Sequence, residues 1–286
     1  MTITPTVIPL PPRELRFMNE NDAGVVEVGS ALAEQLYRLG LSRDGLVLDV
    51  GFGYGRLAIG LMHTGFQGTY CGFEVLKKQA NWCIKNLAPL FDGRYRFRHL
   101  DIYNGRYNPN GTVQPSQVRF PARPQSQDMV ALFSVFTHMY VDDIRIYLRE
   151  IQRVLRPGRG LAATTWFVWD ESMQEAIRAP ERNHPMVHVL DPVTRYADAT
   201  DPLRAICHRE DVVRRLIAEA GLELHTFERG TWATVSNGFG ERPQAFQDLL
   251  LLRRPPLTLR RRVTRLAGRA LRRLGLSRRT PRGAVT

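Results

Sequence analysis

Cysteine is scarce in this chain, and no pattern joins what there is. Cys71, Cys83 and Cys207 are the only three among 286 residues and none falls in a C-x-x-C spacing, which excludes a disulfide framework and a cysteine zinc site as organising devices. Long apolar runs are missing too. No stretch of 18 apolar residues occurs, so no membrane-spanning helix is expected. The first residues, MTITPTVIPLPP, lack the basic start and apolar core of an export signal, and a reducing, cytoplasmic setting is the expectation. Acid is absent from the last part of the chain: none follows Asp248, while residues 253–286 hold 12 arginines. That segment carries the whole formal net charge of +12, and the body before it is balanced. A nucleic-acid enzyme spreads positive charge over its binding face, so nucleic acid is not the expected partner.

What is present begins with ordinary globular composition, 43% hydrophobic and 24% charged residues, enough for one sizeable core with extensions. The most informative stretch is residues 46–58, LVLDVGFGYGRLA. Val47, Leu48 and Val50 form the short apolar run of a buried parallel strand, and Gly51, Gly53 and Gly55 then allow a sharp turn and close approach of a ligand to the backbone. Arg56, Leu57, Ala58 and Leu61 start a helix whose free N–H groups face that turn. A dinucleotide fingerprint places its third glycine where Arg56 stands, so the pattern is D-x-G-x-G-x-G, starting at Asp49. A second strand ends in Glu74, where one carboxylate can accept from both hydroxyls of a ribose. A third ends in Asp101.

These three strand-end acids and the glycine spacing resemble the class I S-adenosylmethionine-dependent methyltransferase family. The stretch YLREIQRVLRPGRGLAAT is similar to the helix, turn and fifth strand of that family, with Arg159 in place of a second turn glycine. The segments DIYNGRYNPNG, SVFTHM and FQDLLLL resemble bacterial methyltransferase-domain proteins of no fixed substrate. The resemblance spans about residues 10 to 254 and implies a doubly wound, seven-stranded, mostly parallel α/β sheet of Rossmann-like form whose last strand is antiparallel. It implies S-adenosyl-L-methionine as cofactor, with Asp49, Gly51, Gly53 and Gly55 at the methionine end, Glu74 on the ribose and Asp101 on the adenine amino group. Val75 and Ile102 would flank the adenine. His138 follows the fourth strand at the ligand edge and is the candidate general base, with hydrogen bonding or capping as its structural alternative. Phe133-Ser134-Val135-Phe136 replaces the Asn/Asp-Pro-Pro-Tyr/Phe sequence of enzymes acting on base amines, which leaves an oxygen of a small-molecule, lipid or glycan acceptor as the favoured target.

Periodicity places helices at residues 25–39, 76–87, 142–155 and 209–220. Strands are expected at 46–50, 69–75, 95–100, 129–133, 161–167, 222–228 and 246–252. Two long polar segments interrupt this rhythm. Residues 102–128 are either a cover for the site or a surface excursion, and the stretch after residue 167 specifies little regular structure. Asp170, Glu171, His184 and His188 are further candidates there, but Pro185 breaks the only metal-like His pair, so no metal is expected. Three parts follow: an N-terminal extension (1–24), the methyltransferase domain (25–254) and an Arg-rich amphipathic tail (255–286). The tail's apolar spacing predicts a basic helix over 257–279 suited to an anionic membrane surface, with nucleic acid, an acidic partner or docking on the body as alternatives. Beside an active enzyme, a degenerate cofactor-binding scaffold and an RNA methyltransferase remain open.

Overall fold

The computed structural model describes residues 7–17, 21–234 and 246–257; the expected basic helix of the tail falls outside them, apart from its first residue. The elements run α1 (Asp22–Arg38), β1 (Leu46–Val50), α2 (Arg56–His63), β2 (Thr69–Glu74), α3 (Lys77–Asn86), β3 (Tyr95–His99), β4 (Met129–Leu132) and α4 (Val141–Val154). They continue with β5 (Leu161–Trp166), β6 (Val168–Trp169), β7 (His188–Asp191), β8 (Thr194–Tyr196), β9 (Ile206–Arg209), α5 (Glu210–Glu219), β10 (Glu223–Glu228) and β11 (Asp248–Arg253). Seven strands form the main sheet in the order β10-β11-β5-β4-β1-β2-β3. β1 lies parallel between β2 and β4, while β11 is antiparallel to both of its neighbours. Strand order reverses at β1 and β4, and a crevice opens at such a switch point beyond the carboxyl ends of the strands. No helix among the described residues is long and apolar enough to cross a membrane.

Both sheet faces are covered, as a parallel sheet of apolar strands requires. On one face Leu48, Val50, Val130 and Leu132 meet α4 and α5 through Ile144, Leu148, Val212 and Leu216. On the other, Val47, Met129 and Ala131 meet α1 and α2. The α1–α2 contact is backbone on backbone. A Cβ on Gly60 would lie 1.9 Å from the Gly29 carbonyl oxygen, so only glycine permits this crossing, and it draws α1 over the crevice. Just past β11, Arg254 Nη1 donates to the carbonyls of Leu155 (2.6 Å) and Arg153 (3.2 Å) and closes the C-terminus of α4.

The two long polar segments have unlike outcomes. Residues 102–128 double back on Asp101, Tyr103 N donating to Val113 O (2.8 Å) and Val113 N to Asp101 O (2.9 Å), and then send Val118 and Phe120 into the core. Glu150 holds that return, accepting from Phe120 N (2.7 Å) and from Arg153. The second segment corrects the expectation of little regular structure. It forms a four-stranded sheet, β6-β9-β8-β7, over a small core of Phe167, Trp169, Ile177, Met186, Cys207 and Trp232. Its strands have two to four residues, too few for a period to register, and β6 pairs with β9 about forty residues away. Asp248 ties the two sheets together. Fully buried at the start of β11, its carboxylate accepts from Val168 N (2.7 Å), Gly230 N (2.8 Å) and Trp232 Nε1 (2.8 Å).

Candidate active site

One cavity of about 620 Å³ opens at the switch point, within the range of small-molecule and cofactor sites. Its floor is the turn after β1. Gly51, Gly53 and Gly55 all have positive φ (72°, 56° and 89°), a conformation that costs an L-residue strain. A Cβ on Gly51 would come within 2.9 Å of Val135, and one on Gly53 within 2.9 Å of the Phe17 ring. The turn is thus a cradle of bare backbone that side chains would fill. Beside it Glu74, buried at the end of β2, accepts from Gly53 N (2.6 Å), Val75 N (2.6 Å) and Leu76 N (2.9 Å). Burial pushes its carboxyl above the usual range and these three N–H groups oppose the shift. Glu74 is held in one orientation at the cavity wall, with acceptor capacity left for hydroxyl donors. These features fit an adenosyl group.

Gly51, Gly53, Glu74, Val75, Ile102 and His138 all line this cavity, and Asp49, Gly55 and Asp101 do not. Asp49 lies beneath the turn and accepts from Tyr70 Oη (2.8 Å); burial raises its pKa to about 7. It supports the turn from below. Gly55 starts α2, where a Cβ would meet Cys83 Sγ at 2.9 Å, so its role is close packing. Asp101 turns away from the cavity: Asn108 Nδ2 donates to one oxygen (3.0 Å), and Thr112 N (3.2 Å) and Oγ1 (2.7 Å) to the other. Those bonds hold its pKa down to about 2.

His138 ends a short 3-10 turn after β4. Its Nδ1 lies 2.8 Å from the carbonyl of Leu203, which can only accept, so Nδ1 carries the hydrogen and Nε2 is the acceptor. The Tyr107 ring meets it edge-on at 5.4 Å. Burial lowers the pKa of His138 to about 4, so the ring is neutral at pH 7 and a weaker base than a free imidazole. The segment 102–128 contributes Tyr103, Asn104, Arg106, Tyr107 and Pro115 to the wall, which makes it a cover over the site. The second sheet's segment adds Asn183, His184 and Arg204. Arg106 pairs with Asp201, and Arg204 with Asp198 at 3.4 Å. His184 faces Phe167 and Phe246, whereas His188 stacks on Tyr196, so the two histidines serve different places. No cluster of metal-ligating side chains occurs among the described residues. Asp170 and Glu171 also lie off the wall, Asp170 accepting from Ser172 N (2.9 Å) and from Arg229 (3.0 Å), and Glu171 lying 3.9 Å from Arg209.

Several wall residues carry no sequence signal. Ser134 has φ 57°, outside glycine's usual monopoly, and is held there by a bond from its N–H to Thr165 Oγ1 (2.7 Å) and by Gln247 Oε1, to which its hydroxyl donates (3.0 Å). Three segments far apart in sequence, at the ends of β4 and β5 and just before β11, build this one corner. An Asx turn at Asn104, whose Oδ1 accepts from Arg106 N and Tyr107 N, was readable in principle from the run Asn104-Gly105-Arg106.

Comparison with known proteins follows the same lines. Residues 48–163, from β1 to the middle of β5, match the family model described as a methyltransferase domain. A chain of the Haloferax volcanii complex between the Trm112 methyltransferase activator and a candidate methyltransferase is similar over 83% of this chain and 96% of its own, at 15% identity and a TM-score of 0.52. An S-adenosylmethionine-dependent methyltransferase of Leishmania major is similar over 80% of this chain and 73% of its own, at 15% identity and TM-score 0.50. The [4+2]-cyclase SpnF matches over 80% and 81%, at 16% identity and TM-score 0.50. At such identities the likeness is one of fold, and the fold alone hosts more than one chemistry. The glycine cradle and the acid that ends β2 both lie inside the segment that matches the methyltransferase-domain model, and the fold around them is one that S-adenosylmethionine-dependent methyltransferases share.

Proposed function

We propose that the protein transfers a methyl group from S-adenosyl-L-methionine to an oxygen of a small-molecule, lipid or glycan acceptor. The observation that carries this reading is the continuity of one cavity, from the bare-backbone turn and Glu74 at one end to His138, Arg106, Arg204, Asn183 and His184. The cofactor supplies a methyl group on a sulfonium centre that needs no activation by the protein. Glu74 would hold the ribose hydroxyls, Val75 and Ile102 would flank the adenine, and the turn through Gly51 and Gly53 would receive the methionine end. Transfer to a hydroxyl then requires alignment and removal of one proton. His138 offers Nε2 for that proton, and as a weak base it suits an acceptor whose hydroxyl loses its proton late, as the new bond forms. The polar wall of Arg106, Arg204 and Asn183 supports an acceptor with polar or anionic groups over an apolar one. Phe133, on the cavity wall, stands where enzymes of base amines carry Asn or Asp, so the polar group that would bind such an amine is missing from that position.

Calorimetric titration of S-adenosylmethionine into the full chain is the test. Binding in the micromolar range, about −8 kcal/mol, is expected for the wild type. Glu74→Ala should weaken it by at least ten-fold, because the ribose loses its acceptor. A folded wild type that binds no cofactor would overturn the enzyme reading and favour a scaffold.

A further inference from the structure

Asp101 lies two residues past the end of β3, and its oxygens are engaged by Asn108 and Thr112 outside the cavity. The cavity wall that includes Val75 and Ile102 is therefore left without an acid from the end of that strand. Another acid is present. α4 begins at the carboxyl edge of the sheet, and Asp143, half-buried in its first turn, lines the cavity. Among the described residues no donor or cation meets its carboxylate, whereas neighbouring Asp142 is exposed and pairs with Arg145 at 3.2 Å. Burial raises the Asp143 carboxyl above its usual range and Asp142 adds to the shift. Placement on α4 is fixed one turn later. Tyr147 meets Phe120 edge-on at 5.2 Å, and Phe120 packs on Phe73 of β2 at 5.0 Å. The first turns of α4 are thus tied through Phe120 to the end of β2, which Val75 follows, and Val75, Ile102 and Asp143 line the same cavity.

We propose that Asp143, in place of Asp101, accepts from the exocyclic amino group of the cofactor's adenine and so sets the preference for an adenosyl group. This rests on reading the cavity as an S-adenosylmethionine site. A half-buried carboxylate without a donor is a standing cost to the folded protein, and an amino group delivered by a ligand offsets it. A purine with an oxo group at that position presents an acceptor instead and faces repulsion. Stabilisation of the α4 N-terminus alone would not account for the placement, since exposed Asp142 already supplies a negative charge there at no burial cost.

The test is calorimetric binding of S-adenosylhomocysteine and S-inosylhomocysteine to the full chain and to Asp143→Asn, Asp143→Ser and Asp101→Asn, with thermal melts as the check on folding. The wild type should prefer the adenosyl compound by about ten-fold or more. Both Asp143 variants should lose most of that preference, to within about three-fold, whereas Asp101→Asn should keep it and melt earlier because its loop is untied. Retention of the wild-type preference in a folded Asp143 variant would overturn the assignment, as would its loss in Asp101→Asn. A folded wild type that binds neither compound overturns the cofactor reading itself. Binding of both without preference overturns Asp143 alone.

Discussion

At pH 7 the Asp49 carboxyl stands near its own midpoint, because burial beneath the glycine turn outweighs the bond from Tyr70. A folded-state pKa above the unfolded value of 3.8 means that the folded protein holds this proton more tightly. The contribution is therefore fully present below about pH 4 and lost as pH rises through about 7. Glu74 and Asp248 act in the same sense. Asp49→Asn keeps an acceptor for Tyr70 and removes one of these titrations. Thermal melts of the cofactor-free protein from pH 4 to 8 should show a wild-type decline that the variant flattens, with the variant more stable at pH 8 by about 1.4 kcal/mol per unit of pKa shift. Parallel profiles would show that Asp49 is not strained by burial. The turn at Gly51 and Gly53 was legible in sequence because positive φ in a tightly packed turn leaves almost no other residue type. The bonds that hold Asp101 off the cavity wall were not legible, because Asn108 and Thr112 engage its carboxylate and nothing in a linear pattern reveals such competition.

Elements were easier to read than side-chain roles. α4 and α5 fall within one residue of their expected bounds at both ends, and β5 and β10 within one, since each carries a full apolar period. Their contacts were another matter. The crossing of α1 on α2 depends on Gly29 and Gly60, two glycines within helical segments that no local pattern singles out. Gly60→Ala would force backbones apart, because the clash is with the Gly29 carbonyl and no side chain can swing away. A loss of about 3 kcal/mol is expected, seen as a fall of about 6–12 °C in Tm. Val28, Leu32 and Gln35 of α1 line the cavity, so cofactor affinity should fall with it. An unchanged Tm would mean that the two helices do not meet as described.

On the scale of the whole molecule, the cavity is a seam between two sheets. The main sheet provides the cradle and Glu74, the second sheet's segment provides Asn183, His184 and Arg204, and Asp248 joins the two. Asp248→Asn turns one acceptor into a donor facing Val168, Gly230 or Trp232, and should cost about 2–4 kcal/mol and lower Tm by about 4–16 °C. Titration of that variant should give cofactor affinity within a few-fold of wild type, since the cradle belongs to the other sheet. Equal melting of variant and wild type would deny Asp248 its role as the tie. By itself the sequence determined the strands of the main sheet, the glycine cradle and the acid that ends β2, because each rests on local periodicity or on a backbone conformation few residues can adopt; the antiparallel last strand was legible only through the family resemblance. Only the tertiary structure decided the second sheet, the burial of Asp248, the turning away of Asp101 and the exposure of Asp143 to the cavity. Those depend on partners dozens of residues apart, whose meeting is set by how the whole chain fills its core.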